Sequence, residues 1–152
     1  MLEKVLQNDL KAIQALIEQE FPYVKKPKEK LESKLNNPFF FLYKKTIENQ
    51  LVGFIEFEVL GEKKEVRLNA LAILPSFRNQ GIGKQVLEEG IQKMQEKGFE
   101  RIWLWVKQEN QIARELYENQ GFVWVRALPK KIDNAMVEEY KLEFEKEWHG
   151  VH

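Results

Sequence analysis

The stretch Leu71-Ala72-Ile73-Leu74-Pro75-Ser76-Phe77-Arg78-Asn79-Gln80-Gly81-Ile82-Gly83-Lys84 restricts the fold more than any other part of the chain. An apolar run with strand character stops at a proline, a short loop follows, and two glycines open a helix. In that helix, Ile82 to Lys97, the residues Ile82, Val86, Leu87, Ile91 and Met94 recur with a period near 3.6. Gly98 stands at its C-terminal side. The backbone N–H groups of residues 79 to 84 are predicted to be free at the helix N-terminus. With the macrodipole, Arg78 and Lys84 they can receive a phosphate. Gly81 and Gly83 let the backbone approach such an anion closely. The segment Arg78 to Lys84 has two positive charges and no acid. The same residues also suit a plain strand–turn–helix in which glycine serves tight packing. Two familiar phosphate loops are excluded. A Walker loop needs Gly in place of Arg78 and Ser or Thr in place of Gln85, and the dinucleotide fingerprint needs a small residue in place of Val86.

The remaining elements follow from the same reading. Asp9 to Glu20 carries a helical stripe of Leu10, Ile13, Leu16 and Ile17, with Asn8 or Asp9 as cap, and Pro22 ends it. Lys28 to Leu35 is a short helix after Pro27. Strands are predicted over Phe39–Lys44, Leu51–Leu60 and Val66–Leu74, with Asn49-Gln50 turning between the first two. In Leu51–Leu60, Ile55, Phe57 and Val59 face one way and Phe54, Glu56 and Glu58 the other. Arg101 to Lys107 alternates Ile102, Leu104 and Val106 with Trp103, Trp105 and Lys107, which predicts a central strand with two largely apolar faces. A helix over Asn110–Gln120 and strands over Phe122–Leu128 and Met136–Phe144 complete the chain. Met136, Tyr140, Leu142 and Phe144 are expected on one face of the last strand. The order predicts one mixed α/β domain over residues 1–152, with helices flanking a sheet.

Composition removes several chemistries. The 152 residues contain no Cys, so a thiol nucleophile, a disulfide framework and a zinc–thiolate site are excluded. The two histidines, His149 and His152, fall in the last four residues, a poor place for a triad or a metal centre, and no metal is expected. Lysine and arginine total 24, as do aspartate and glutamate, so the footprint of a general nucleic-acid binder is missing. The N-terminus lacks an apolar signal core, and the run Pro38–Tyr43 is too short to span a bilayer. The expectation is a cytoplasmic protein with no membrane partner.

A second constellation follows the tryptophan-bearing strand: Asn110, Ala113, Leu116-Tyr117 and Gly121-Phe122. Together with Arg78, Gly81 and Gly83 it resembles the GNAT superfamily of acetyl-CoA-dependent N-acetyltransferases. The first group is similar to that family's R-x-x-G-x-G pyrophosphate loop, and the second to its N-x-x-A-x-x-L-Y-x-x-x-G-F signature. The resemblance implies a GNAT fold in which the strand ending Leu71-Ala72-Ile73 splays from Arg101–Lys107 to admit the pantetheine arm of acetyl-CoA. Asn79, Gln80, Gly81, Ile82, Gly83 and Lys84 would hold the pyrophosphate, and Asn110 and Ala113 the cofactor arm. It also implies direct attack of an amine on the thioester through a tetrahedral intermediate, with a backbone N–H near Ile73 polarising the carbonyl. Monomers and homodimers both fit.

Tyr117 is the candidate general acid. A phenol has a pKa of about 10, near that of a departing thiolate. Without its flanking motif it reads first as a core aromatic on an amphipathic helix, and the motif turns the reading to the acid. An amine of pKa about 10.4 also needs a base. Relatives carry Glu on the strand before the phosphate loop, where Arg67 stands here. Ribosomal-protein alanine acetyltransferases carry Glu where Trp105 stands. Glu56, Glu58 and Glu65 remain candidates, directly or through a water held by Asn69, and each also suits a solvated strand edge.

The resemblance places the acceptor mouth at Phe21–Lys30 and Arg126–Asn134. Lys25, Lys26, Lys28 and Lys30 against Glu29 make the first +3, and Arg126, Lys130 and Lys131 against Asp133 make the second +2. Glu138–Glu147 carries five glutamates and two lysines, or −3. An acceptor amine beside an anionic group is one expectation, and ordinary solvated lysines are the other. Phe21 and Tyr23 could line the pocket or staple a helix end. The rival to an enzyme is a module that binds acetyl-CoA or CoA without turnover.

Overall fold

A computed structural model describes residues 1–62 and 64–145, so Trp148, His149 and His152 lie outside the described residues. The chain runs β1 (Glu3–Lys4), α1 (Leu10–Glu20), α2 (Pro27–Leu35), β2 (Phe40–Ile47), β3 (Gln50–Val59), β4 (Glu65–Ile73), α3 (Ile82–Glu96), β5 (Arg101–Lys107), α4 (Gln111–Asn119), β6 (Val123–Ile132) and β7 (Ala135–Glu143). The strands form one sheet in the order β1-β2-β3-β4-β5-β7-β6. Every pairing is antiparallel except β4 with β5, which α3 joins as a crossover.

Two cores explain the two helical layers. On one face Val86, Leu87 and Met94 of α3 bury against Ile55, Phe57, Val66, Ile102 and Leu104. On the other, Ile13, Leu16 and Ile17 of α1 and Leu31 of α2 bury against Leu42, Phe54 and Ala72. The alternation of β3 therefore splits as its sequence predicts. Gly90 lets α3 approach this strand: a Cβ there would lie 2.9 Å from Ile55 Cδ1 and 3.1 Å from the Phe57 ring.

Several local expectations change. Asp9 does not cap α1 through its side chain. Its carboxylate instead accepts from the Leu6 N–H at 2.8 Å and from Lys44 Nζ at 2.7 Å, closing a short 3-10 turn over Gln7–Asp9. Strand β1 was not predicted, because two polar residues carry no periodicity. The β2–β3 turn is Glu48-Asn49, with φ of 50° and 66°, one residue earlier than expected. Phe39 is 58% exposed and precedes β2, so the strand predicted over Phe39–Lys44 starts at Phe40 and runs on to Ile47. Strand β6 extends to Ile132, and the connection to β7 is the two-residue turn Asp133-Asn134 instead of a loop. In β7, Val137 is buried and Met136 is exposed. Strand β5 is central, but its second face is not a closed apolar core: Trp103 and Trp105 are half-buried and donate Nε1–H to Glu65 (3.1 Å) and Glu139 (3.0 Å).

Candidate functional site

The parallel strands β4 and β5 pair from Glu65↔Arg101 to Leu68↔Leu104 and no further. At that point β4 contains an extra residue. Glu56 faces Ala70 and Phe57 faces Leu68, which leaves Asn69 as a β-bulge. A bulge bends its strand and interrupts the ladder. A cavity of about 460 Å³ opens beyond it, walled by Leu71, Trp105, Val106 and Lys107 and, across from them, by Ile17, Phe21, Val24 and Leu31. Asn110, Ala113 and Tyr117 also line it.

After β4 the chain makes a 3-10 turn over Pro75–Phe77 and enters α3. Asn79 and Gly81 have positive φ, 63° and 78°, and Gly81 is the N-cap. The first helical N–H to bond back is that of Gln85, to Gly81 O at 3.1 Å. The N–H groups of Ile82, Gly83 and Lys84 therefore face outward as α3 begins. Gly81 is required by its φ. Gly83 is not: its φ is ordinary, and a Cβ would meet only Ile73 Cγ1 at 3.7 Å. The fold itself thus leaves room at Gly83 that a side chain would fill. Lys84 is exposed and 4.0 Å from Glu88. Gln80 Nε2 donates to Ser76 O at 3.4 Å. The view of this loop as free of acid changes in three dimensions, because Arg78 pairs with Glu20 at the end of α1. Its Nε also donates to Ile73 O at 3.2 Å. Ala72 and Ile82 are buried in the core, whereas the half-buried Leu71 reaches the cavity.

Helix α4 has a real cap: Asn110 Oδ1 accepts from the Ala113 N–H at 3.2 Å. Two turns on, the Tyr117 ring meets Phe122 edge-on with centroids 5.8 Å apart. Burial pushes its phenol up to about 12. Arg114 and Glu118 flank it in sequence and both bond Tyr140 OH, at 3.2 and 2.9 Å, which ties α4 to β7. No local pattern announces this clamp, because Tyr140 lies on a distant strand.

The polar cavity wall centres on Asn69. Its Nδ2 donates to Glu56 Oε2 (2.7 Å) and Glu58 Oε1 (2.9 Å), and its Oδ1 accepts from Arg67 Nε (2.9 Å). Lys34 Nζ reaches both oxygens of Glu56, at 3.2 and 3.0 Å. Of the three candidate glutamates, only Glu56, 3% exposed, lines the cavity. Glu58 pairs with Arg67 at 3.0 Å, and Glu65 pairs with Arg101 at 2.5 Å at the far end of β4. Phe21 and Tyr23 line the mouth with ring centroids 6.1 Å apart. Lys25 does not line it, and Lys130 lies over the Trp105 ring at 3.6 Å. The cavity's cations are Lys30, Lys34, Arg67 and Lys107, and only Lys30 comes from the two lysine-rich loops.

A seven-stranded mixed sheet parted between two parallel strands, with a glycine-opened helix at the parting, defines a class of acyltransferase fold. The model of the acetyltransferase (GNAT) family matches residues 10–122, and the chain belongs to that enzyme family. It is 40% identical over 83 residues to the ribosomal protein bS18-alanine N-acetyltransferase of Haemophilus influenzae, a match covering 54% of this chain and 55% of that one. The chain spans about half the length of the curated relatives it matches. The Escherichia coli ribosomal-protein-S18-alanine N-acetyltransferase structure superposes with a TM-score of 0.84 at 20% identity, covering 100% and 98% of the two chains. The Thermoplasma acidophilum PaiA N-acetyltransferase, solved in complex with coenzyme A, gives 0.72 at 20%, covering 93% and 98%. These superpositions share the fold described above.

Proposed function

We propose that this chain transfers the acetyl group of acetyl-CoA to a primary amine. One observation carries the reading: β4 and β5 part beyond Leu68 and Leu104, the end of β4 leads into α3 with its outward N–H groups, and the end of β5 leads into α4, whose Tyr117 lines the cavity at the parting. The N–H groups of Ile82, Gly83 and Lys84, with the Lys84 ammonium, bind the pyrophosphate. The strand edge that β5 leaves exposed on β4 pairs with the pantetheine arm, and Asn110 borders it. An N–H of β4 near Ile73 donates to the thioester oxygen as negative charge develops there.

The neutral amine nitrogen attacks the thioester carbonyl carbon, and a new C–N bond forms. The C–S bond then breaks, and the sulfur takes the Tyr117 hydroxyl proton. The amine's proton leaves to Glu56, directly or through a water held by Asn69. Support for Glu56 is its place in the cavity wall beside Asn69. The ribosomal-protein alanine N-acetyltransferase activity of the relatives supports a protein or peptide amine as one acceptor class, and the cavity volume also suits a small amine.

A second reading, binding of acetyl-CoA without turnover, is favoured by one fact: Arg67 and Trp105 occupy both positions where relatives are expected to carry a basic glutamate. Calorimetry with acetyl-CoA and free-thiol release across an amine panel separate the two. Binding with amine-dependent thiol release supports the transferase. Binding without release from any amine refutes it in favour of the module.

A further inference from the structure

We propose that Arg67, laid against Trp105 in the cavity wall, recognises a carboxylate carried by the acceptor amine. The proposal rests on the reading that this cavity takes the acceptor.

Four cations line the cavity, Lys30, Lys34, Arg67 and Lys107, against two acids, Glu20 and Glu56. They are not equivalent. Lys34 is engaged by both Glu56 oxygens. Lys107 lies over the Tyr23 ring at 5.0 Å and 3.5 Å from Asp133. Arg67 is fixed on three sides and free on one. Its Nε donates to Asn69 at 2.9 Å, its Nη2 donates to Glu58 at 3.0 Å, and its guanidinium sits 4.5 Å from the Trp105 ring centroid. Among the described residues no acceptor meets Nη1. A guanidinium held in plane in this way offers its remaining N–H groups as a ready fork for a carboxylate, with little rotamer freedom left to lose.

The spacing gives the substrate class. The Asn69 carboxamide bridges Glu56 and Arg67, bonding one through Nδ2 and the other through Oδ1. Glu56 and Arg67 are thus separated by one amide group and a hydrogen bond at each end of it. An amine facing Glu56 and a carboxylate facing Arg67 must be joined by a short spacer, roughly one to three carbons. That describes a free α- or β-amino acid, or a peptide whose first residue is Asp or Glu. A polyamine would instead bring a second ammonium against Arg67, and among the described residues both acids that line the cavity, Glu20 and Glu56, are already paired.

The test uses the full chain with matched acceptors: β-alanine against β-alaninamide, Asp-Ala-Ala-amide against Asn-Ala-Ala-amide, and putrescine. Rates are referred to the neutral amine fraction. The carboxylate member should be favoured about tenfold or more in kcat/KM, since a hydrogen bond to a charged group carries that weight. Preference in the first pair alone marks a free amino acid, and in the second alone an acidic peptide. Arg67→Gln should abolish the preference through KM while acetyl-CoA affinity holds, and Arg67→Lys should restore part of it. Equal rates within both pairs, a preference for putrescine, or a preference that survives Arg67→Gln would each overturn the proposal. Calorimetry of β-alanine and the Asp peptide in the presence of CoA gives a readout independent of turnover. Arg67-dependent binding without acetylation would sink the transferase reading and leave Arg67 as the carboxylate site of a binding module. Neither ligand binding would overturn this one alone.

Discussion

Replacing Tyr117 by Phe isolates a single proton. The ring keeps its edge contact with Phe122, centroids 5.8 Å apart, so the core is preserved and only the hydroxyl is lost. That hydroxyl is pushed up to about 12 by burial, against about 10 for an ordinary phenol. At pH 11 about one Tyr117 in ten would be ionised, whereas an ordinary phenol would be about nine-tenths ionised. Ultraviolet titration of tyrosinate in the native protein should therefore follow the same curve for wild type and Tyr117→Phe up to about pH 11. The linkage has a definite sign. A folded value raised above the unfolded one leaves stability whole below about pH 10 and removes it progressively from there to about 12, and Tyr117→Phe removes that share of the loss. In catalysis the same shift keeps the acid loaded throughout the range in which the amine deprotonates, but it also makes the phenol about a hundredfold weaker as an acid than one matched to a departing thiolate. Wild-type kcat/KM should rise towards pH 10 with no falling limb from this group. Tyr117→Phe should lower kcat by about 10²- to 10⁴-fold with little change in the KM for acetyl-CoA. A loss of tyrosinate signal between pH 9 and 10 on substitution would refute the burial argument. Unchanged kcat would refute the acid role.

Other substitutions probe separate features. Gly83→Ala should leave folding stability unchanged or raise it by about 0.4–1 kcal/mol, because a Cβ meets only Ile73, yet weaken acetyl-CoA binding by calorimetry. Equal binding would argue against a pyrophosphate at this backbone. Gly90→Ala should destabilise by about 1–3 kcal/mol in urea unfolding, less the helix-propensity gain, since its Cβ would enter the Ile55–Phe57 packing. Glu20→Gln should tighten acetyl-CoA binding a few fold by releasing Arg78, and weaker binding would show that Glu20 orients this arginine instead. Asn110→Ala should cost about 1 kcal/mol as the α4 cap is lost, which thermal unfolding would detect.

The elements that declared themselves did so through local physics. The stripe of α3 and the glycine at its entry are contained in a few consecutive residues, whereas the Asn110 cap, equally local, was not predicted. The alternation of β3 correctly assigned its two faces because both are covered by helices. Where a side chain's partner is remote, the sequence was silent. Glu20 on Arg78, Lys34 on Glu56 and Tyr140 on Arg114 cross 58, 22 and 26 positions, and nothing local announces them. The charge of the cavity shows the same limit. The lysine-rich loops suggested a basic mouth, yet most of the cations that line it are single residues on α2, β4 and β5. The Asp9 cap failed for a related reason, because Lys44 and the Leu6 N–H compete for the same carboxylate.

The extra residue in β4 acts as a frame shift in side-chain parity. Val66 and Leu68 face the α3 core, and uninterrupted alternation would send Ala70 and Ala72 there too, with Leu71 and Ile73 turned towards α1. One supernumerary Asn69 exchanges the sets, so the two alanines sit under α1 and the larger pair packs with α3. The arrangement depends on chain length more than on amide chemistry. A substitution at Asn69 leaves the count intact, whereas deleting the residue would invert four downstream side chains at once. It would also let β4 and β5 zip on past Leu68 and Leu104. Loss of a single codon would thus act on the cleft through strand register, which a substitution at the same position leaves unchanged.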